Sequence, residues 1–145
     1  MPKKNVKVEV KQGASFRTEC RAGKHLVIID QPAPAGGTDE GATPLDMQLI
    51  ALGGCIAAIG RIIANQRKLD IRGFEVSLEG ELDTDRLLGK ASGERVGFSK
   101  ISARVKIASD LSTAEQKAFL QEIEDRCPVS ENLVNPTAVH VALAE

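Results

Sequence analysis

Tryptophan and tyrosine are missing altogether from this 145-residue chain, and phenylalanine occurs only four times. So little ring surface leaves almost nothing on which nucleic-acid bases stack. An excess of charge of one sign is lacking too: 19 basic against 20 acidic residues give a formal net charge of -1 and a pI of about 6.2. No electrostatic footprint for DNA, RNA or an anionic membrane surface follows from that balance. Cysteine is scarce, three residues at Cys20, Cys55 and Cys127 without regular spacing, which is not the even framework of a secreted disulfide-stapled domain. A reducing cytoplasm is the expected compartment. The N-terminus, MPKKNVKVEVK, has lysines but alternates polar and apolar residues with no apolar h-region behind it, so it reads as a strand and not as a signal peptide. The length suits one domain, residues 1–145, with a core that needs no staples.

What the chain does contain falls into a clear order. NVKVEVK, ASFRTEC and HLVIID alternate as strands, with Gly13 and Gly23 at turns, and predict an antiparallel meander. QPAPAGGTDEGA, rich in Pro and Gly, is a loop. Then Leu45, Leu49, Leu52, Ile56, Ile59 and Ile63 form a stripe of helical period. Thr43 suits the N-cap, Pro44 the first helical position, and Asp46 the third residue after the cap. A helix from Pro44 to about Lys68 is roughly 37 Å long at 1.5 Å per residue. Asp46, Gln48, Arg61 and Asn65 hold its apolar run below the roughly 18 residues of a membrane span, so the expectation is a helix buried on most sides.

RGFEVSLEGELD and FSKISARVKIASD read as two strands of a long hairpin joined by DTDRLLGKASGERVG. The GKAS within that connection lacks the preceding glycine and the strand-to-helix setting of a phosphate loop. LSTAEQKAFLQEIEDR is an amphipathic helix, with Ser112 or Thr113 as cap, an early Glu115 and an apolar set at Ala118, Leu120 and Ile123. TAVHVALAE is expected to close the chain as a strand.

Two of the cysteines sit in unusual surroundings. In DRCPVSENLVNP, Cys127 directly precedes a proline that suits the first turn of a helix, which makes the cysteine a candidate N-cap. There it would face unpaired N–H groups and the positive end of the helix dipole, with Arg126 adding charge, all of which favour thiolate. The alternative is a small apolar residue buried at a helix–helix corner, as free cysteine commonly is. In ALGGCIAAIG, two adjacent glycines cost about 1 kcal/mol each inside a helix relative to alanine. Ala51, Gly53, Gly54, Ala57, Ala58 and Gly60 would let another helix approach closely around Cys55, either for chemistry or for tight packing on an inert thiol.

TPLDMQLIALGGC, followed by a long helix, a hairpin and DRCPVS, resembles the OsmC/Ohr family, named for osmotic induction and organic hydroperoxide resistance. The resemblance runs from HLVIID to NLVNPTAVHVAL. It implies an α+β fold, with curved antiparallel sheets around long central helices, and an intertwined homodimer with active sites at the subunit interface. It further implies a thiol-dependent peroxidase that reduces organic hydroperoxides, with hydrogen peroxide as a further substrate. Carried over, Cys55 is the peroxidatic residue and Cys127 the resolving one that closes a disulfide, which an external dithiol such as a lipoyl group reopens. No metal or bound organic cofactor is implied. The family logic also calls for an arginine from the N-terminal sheet held by a carboxylate on the long helix. Arg17 in SFRTEC is the candidate, Arg21 the alternative, and Asp46 stands where many relatives carry glutamate.

Local chemistry and resemblance disagree on one point. A helix N-terminus makes Cys127 the more acidic thiol, whereas the family gives first attack to Cys55. The rival functional reading is a non-catalytic dimer of the same fold that binds a small apolar or thiol-bearing ligand, or senses redox state. Cys20 matches no family motif and reads as a passenger, and His25 and His140 read as structural residues in alternating strands. A zinc site from Cys20 and His25 has no C-x-x-C pair or second ligand set behind it.

Overall fold

Alternation near the N-terminus becomes a three-stranded antiparallel sheet in the computed structural model, which describes all 145 residues. Strands β1 (Glu9–Gln12), β2 (Thr18–Ala22) and β3 (His25–Ile29) lie in sequence order, with Cys20 opposite Val10 on one side and Val27 on the other. The β2–β3 turn closes at Gly23, whose φ of 60° is the left-handed conformation glycine tolerates. β1 is shorter than the sequence pattern suggests. Its lysine-rich approach, residues 1–8, forms no ladder.

These strands and the loop after them form one compact unit, Met1–Gln48. The Pro/Gly-rich loop is organised around Asp30, a carboxylate that is 1% exposed. Its oxygens accept from the backbone N–H of Gln31 at 2.7 Å and of Glu40 at 3.2 Å, and from the Thr38 hydroxyl at 2.6 Å. Led by the Thr38 bond, these donors hold its pKa down at about 2. Gly37 packs directly on the Gln31 carbonyl, so a side chain there has no room.

The second unit, Leu49–Glu145, is built on helix α1 (Pro44–Arg67), which starts at the end of the first unit. The hairpin of β4 (Gly73–Glu81) and β5 (Lys100–Ala108) forms as the sequence indicates. On one face Phe74, Val76 and Gly80 oppose Ile107, Val105 and Ile101. On the other, Glu75 opposes Lys106 and Glu81 opposes Lys100, cross-strand pairs of opposite charge. Helix α2 (Thr113–Arg126) begins with a full capping box, Ser112 and Glu115 each bonding the other's backbone N–H. A short helix α3 (Pro128–Val134) follows and stops at Asn135, held extended ahead of Pro136. The core is one apolar cluster: Leu52, Ile56, Ile63 and Ala64 of α1, Ile71, Ile107 of β5, and Phe119, Ile123 and Cys127 from the α2 end. The chain is thus α+β, as expected.

Three expectations need correction. α1 is not buried on most sides: its buried residues form one stripe, while Ile50 and Ile62 stand 55% and 44% exposed. An 18-residue window of this helix has mean hydropathy 1.8 with a third of it buried, so by length and composition it is apolar enough to cross a membrane, because its few polar residues dilute the run without ending it. The small residues around Cys55 admit the hairpin more than another helix. A Cβ on Gly53 would meet Leu78 of β4 at 2.7 Å, and one on Gly60 would meet Phe74 at 2.6 Å and Ile123 of α2 at 3.1 Å. TAVHVALAE forms no strand. A strand exists only through a hydrogen-bonded neighbour, β4 and β5 pair only with each other, and Val139, Val141 and Leu143 are left 78%, 92% and 98% exposed.

Candidate functional site

Cys127 occupies a junction of two helices: it is at once the C-cap of α2 and the N-cap of α3, with φ −84° and ψ 108°. Pro128 takes the first position of α3, where its missing N–H is no loss. The Cys127 sulfur accepts from the Ser130 N–H at 3.5 Å, and its carbonyl accepts from Glu131 N–H. Both local readings of the sequence therefore hold together. The residue is an N-cap, and at 2% exposure it is also buried.

Cys55 arrives from the middle of α1, 72 residues earlier in the chain, and the two Sγ atoms lie 3.0 Å apart. Bonded sulfurs lie near 2.05 Å, so this is a thiol pair in contact, one step short of a disulfide. Gly53 and Gly60 let β4 lie close against α1 on either side of Cys55 in sequence, and Ile56 and Ile63 seat the helix in the core. Cys55 is half-buried, the more exposed residue of the two. Burial pushes the Cys55 thiol up from its ordinary value of 9.0, and the neighbouring Cys127 pushes the same way, mainly through the hydrogen bond between the two side chains. The Val129 backbone amide opposes them in part.

Arg126, next to Cys127 in sequence, turns its guanidinium to Glu122 at 3.2 Å and Gln66 at 3.0 Å. Arg61 donates to the Ile71 carbonyl at 2.8 Å and lies over the Phe74 ring. Both cations are engaged in holding the fold.

The remaining predicted site residues lie in the first unit. Arg17 precedes β2 and pairs with Glu19 at 3.1 Å and Glu40 at 3.4 Å, and the Glu19 bond is the main cause of its raised pKa. Its carboxylate partners thus come from a strand and a loop, not from the long helix. Glu40 was not singled out by sequence, because nothing in TDEGA distinguishes one acid from the next before the Asp30 loop closes. Asp46 bonds the Thr43 N–H at 3.0 Å while Thr43 Oγ1 accepts from the Asp46 N–H at 3.1 Å, a reciprocal cap at the start of α1. Arg21 stands opposite Glu9 in the sheet. Cys20 is half-buried in β2, His25 opens β3 on the surface, and His140 is exposed in the C-terminal segment. No group of three or more His, Cys, Asp or Glu side chains is placed to hold a metal ion.

Comparison with known proteins follows the same outline. A family model described as OsmC-like protein matches residues 37–142. A comparison with curated protein sequences returned no match. Among solved structures, an OsmC-like protein from Mycoplasma pneumoniae superposes with a TM-score of 0.79 at 19% identity, covering 92% of this chain and 89% of that one. An organic hydroperoxide resistance protein OsmC from Legionella pneumophila gives 0.67 at 17% identity over 92% and 91%. An organic hydroperoxide resistance protein from Elizabethkingia anophelis, with thiocyanate bound, gives 0.70 at 12% over 93% and 91%. At such identities these likenesses speak for the fold.

Proposed function

The chain belongs to the OsmC-like protein family, and from that premise we propose that it is a thiol-dependent peroxidase acting on organic hydroperoxides through Cys55 and Cys127. The observation that carries the reading is the 3.0 Å contact between two sulfurs drawn from distant parts of the chain. The substrate class follows the names of the similar Legionella and Elizabethkingia proteins.

In the first step the Cys55 thiolate attacks the terminal oxygen of the hydroperoxide. The O–O bond breaks, an S–O bond forms, and the alkoxide leaves as the alcohol after taking up a proton, so Cys55 becomes sulfenic acid. In the second, Cys127 attacks that sulfur, the S–O bond breaks, and hydroxide leaves as water with the thiol's proton. An external dithiol, such as a lipoyl group, then reopens the disulfide by exchange and is itself oxidised to a disulfide. Exposure favours Cys55 as the first nucleophile, since Cys127 is buried and Cys55 only half so. The second unit's own groups raise the Cys55 thiol, so efficient attack at neutral pH calls for a cation brought to it.

The reading includes a homodimer in a reducing compartment. Exposed Ile50 and Ile62 on α1 and the unpaired alternation of Val139, Val141 and Leu143 support a second copy as the missing partner of these surfaces. The raised Cys55 thiol favours the rival, a non-catalytic dimer that binds a thiol-bearing ligand or senses redox state. Steady-state consumption of cumene hydroperoxide with a dithiol reductant separates the two. Peroxidase function predicts many turnovers per subunit, and the rival predicts at most one.

A further inference from the structure

Cys127 reaches Cys55 only because α2 ends where it does, and the end of α2 is braced to the end of α1. Glu122, one turn before Arg126, divides its carboxylate between the two helices: Oε2 accepts from Arg67 Nη2 at 2.6 Å and Oε1 from Arg126 Nη1 at 3.2 Å. Arg126 Nη2 in turn donates to Gln66 Oε1 at 3.0 Å. Arg67 and Arg126 are the last residues of α1 and α2, so each cation also complements the dipole of its own helix. Ile63 of α1 and Ile123 of α2 are both fully buried in the core.

We propose that Glu122 is a positioning residue for disulfide closure: by holding Arg67 and Arg126 it fixes the point where the chain leaves α2, and so keeps the Cys127 sulfur against that of Cys55. The proposal rests on the thiol-peroxidase reading for its peroxide steps, though not for the closure itself. Arg126 is bonded directly to Cys127, so the brace acts one residue from the resolving sulfur. Cys55 lies about three turns before Arg67 on α1 and is seated by Leu52, Ile56 and the hairpin instead. Losing Glu122 therefore loosens one sulfur and leaves the other in place. Closure must take the pair from 3.0 Å to about 2.05 Å, a step sensitive to small displacements. Arg67 is 56% exposed, which leaves the brace open to screening by salt.

The test compares the wild-type chain with Glu122→Gln and Arg67→Gln in two oxidations, quenched over time and read by thiol alkylation and mass. With one equivalent of cumene hydroperoxide, Cys55 becomes sulfenic acid and closure expels water. With diamide, the N=N bond takes two electrons and two protons from the thiol pair to give a hydrazine as the S–S bond forms, so no peroxide chemistry is needed. Both variants are expected to form sulfenic acid at the wild-type rate and to close about fivefold more slowly at low salt. Their sulfenic acid should live longer and yield more Cys55 sulfinic acid. Wild-type closure should slow as sodium chloride is raised, while closure in Glu122→Gln should not respond. Equal closure rates in the diamide arm would overturn the proposal. So would parallel losses in attack and closure, which would give Glu122 a general structural role, or a wild-type closure indifferent to salt. The salt series decides alone if the variants do not fold. A wild-type protein that ignores the peroxide sinks the peroxidase reading while the diamide arm still tests the brace.

Discussion

In the proposed mechanism a buried N-cap, Cys127, and a half-buried helical thiol, Cys55, take the resolving and attacking roles. The N-cap role of Cys127 was legible in the sequence because Pro128 marks a first helical turn by its chemistry alone. The contact with Cys55 was not, since nothing local links residues 72 apart, and only the resemblance joined them. A helix N-terminus favours first attack by Cys127; its near-complete burial opposes it. Cys55→Ser should accordingly abolish peroxide consumption, a hydroxyl being far less ionised and less nucleophilic than a thiol. Cys127→Ser should react once and accumulate sulfenic acid on Cys55, trappable with dimedone. Dimedone label on Cys127 in the Cys55→Ser protein, with rapid peroxide loss, would reverse the two roles. The raised Cys55 thiol has its own consequence. Only the thiolate alkylates, and a pKa above 9.0 keeps the thiolate a minor species at neutral pH, so Cys55 alkylation by iodoacetamide should keep rising as pH passes through 9.0. A plateau below the ordinary value of 9.0 would show a cation reaching Cys55 that the second unit's own contacts lack.

At the scale of elements, the capped starts of α1 and α2 and the paired faces of the β4–β5 hairpin were readable, because each rests on neighbours in sequence or on strict alternation. What the small residues of α1 face was not readable, since a glycine shows that something comes close without saying what. Gly60 and Gly54 separate these cases. A methyl on Gly60 would press on Phe74 at 2.6 Å and Ile123 at 3.1 Å, whereas one on Gly54 meets nothing within 4 Å. Gly60→Ala should cost about 1–3 kcal/mol through overpacking. Gly54→Ala should gain up to about 1 kcal/mol from helix propensity. Urea unfolding of the two variants checks both signs, and a Gly60→Ala protein as stable as wild type would show that the hairpin does not rest on α1 in this way.

For the whole molecule, the α+β class and the family were within reach of the sequence, and the fate of the C-terminal alternation was not. TAVHVALAE has a strand's pattern but needs a ladder partner, and pattern alone does not say whether the same chain supplies one. With Val139, Val141, Leu143 and the outer face of α1 exposed, the proposed homodimer should appear in sedimentation at micromolar concentration, and deleting residues 137–145 should weaken it. A wild-type monomer under those conditions would leave these surfaces without their proposed partner.

The central claim is that Cys55 and Cys127 form one redox pair, and peptide mapping after a single equivalent of organic hydroperoxide tests it most directly. The account predicts that the reduced protein is converted to a form with an intrachain Cys55–Cys127 disulfide while Cys20 stays a free thiol. A bridge that includes Cys20, or both thiols of the pair still free once the peroxide has been supplied, would contradict it.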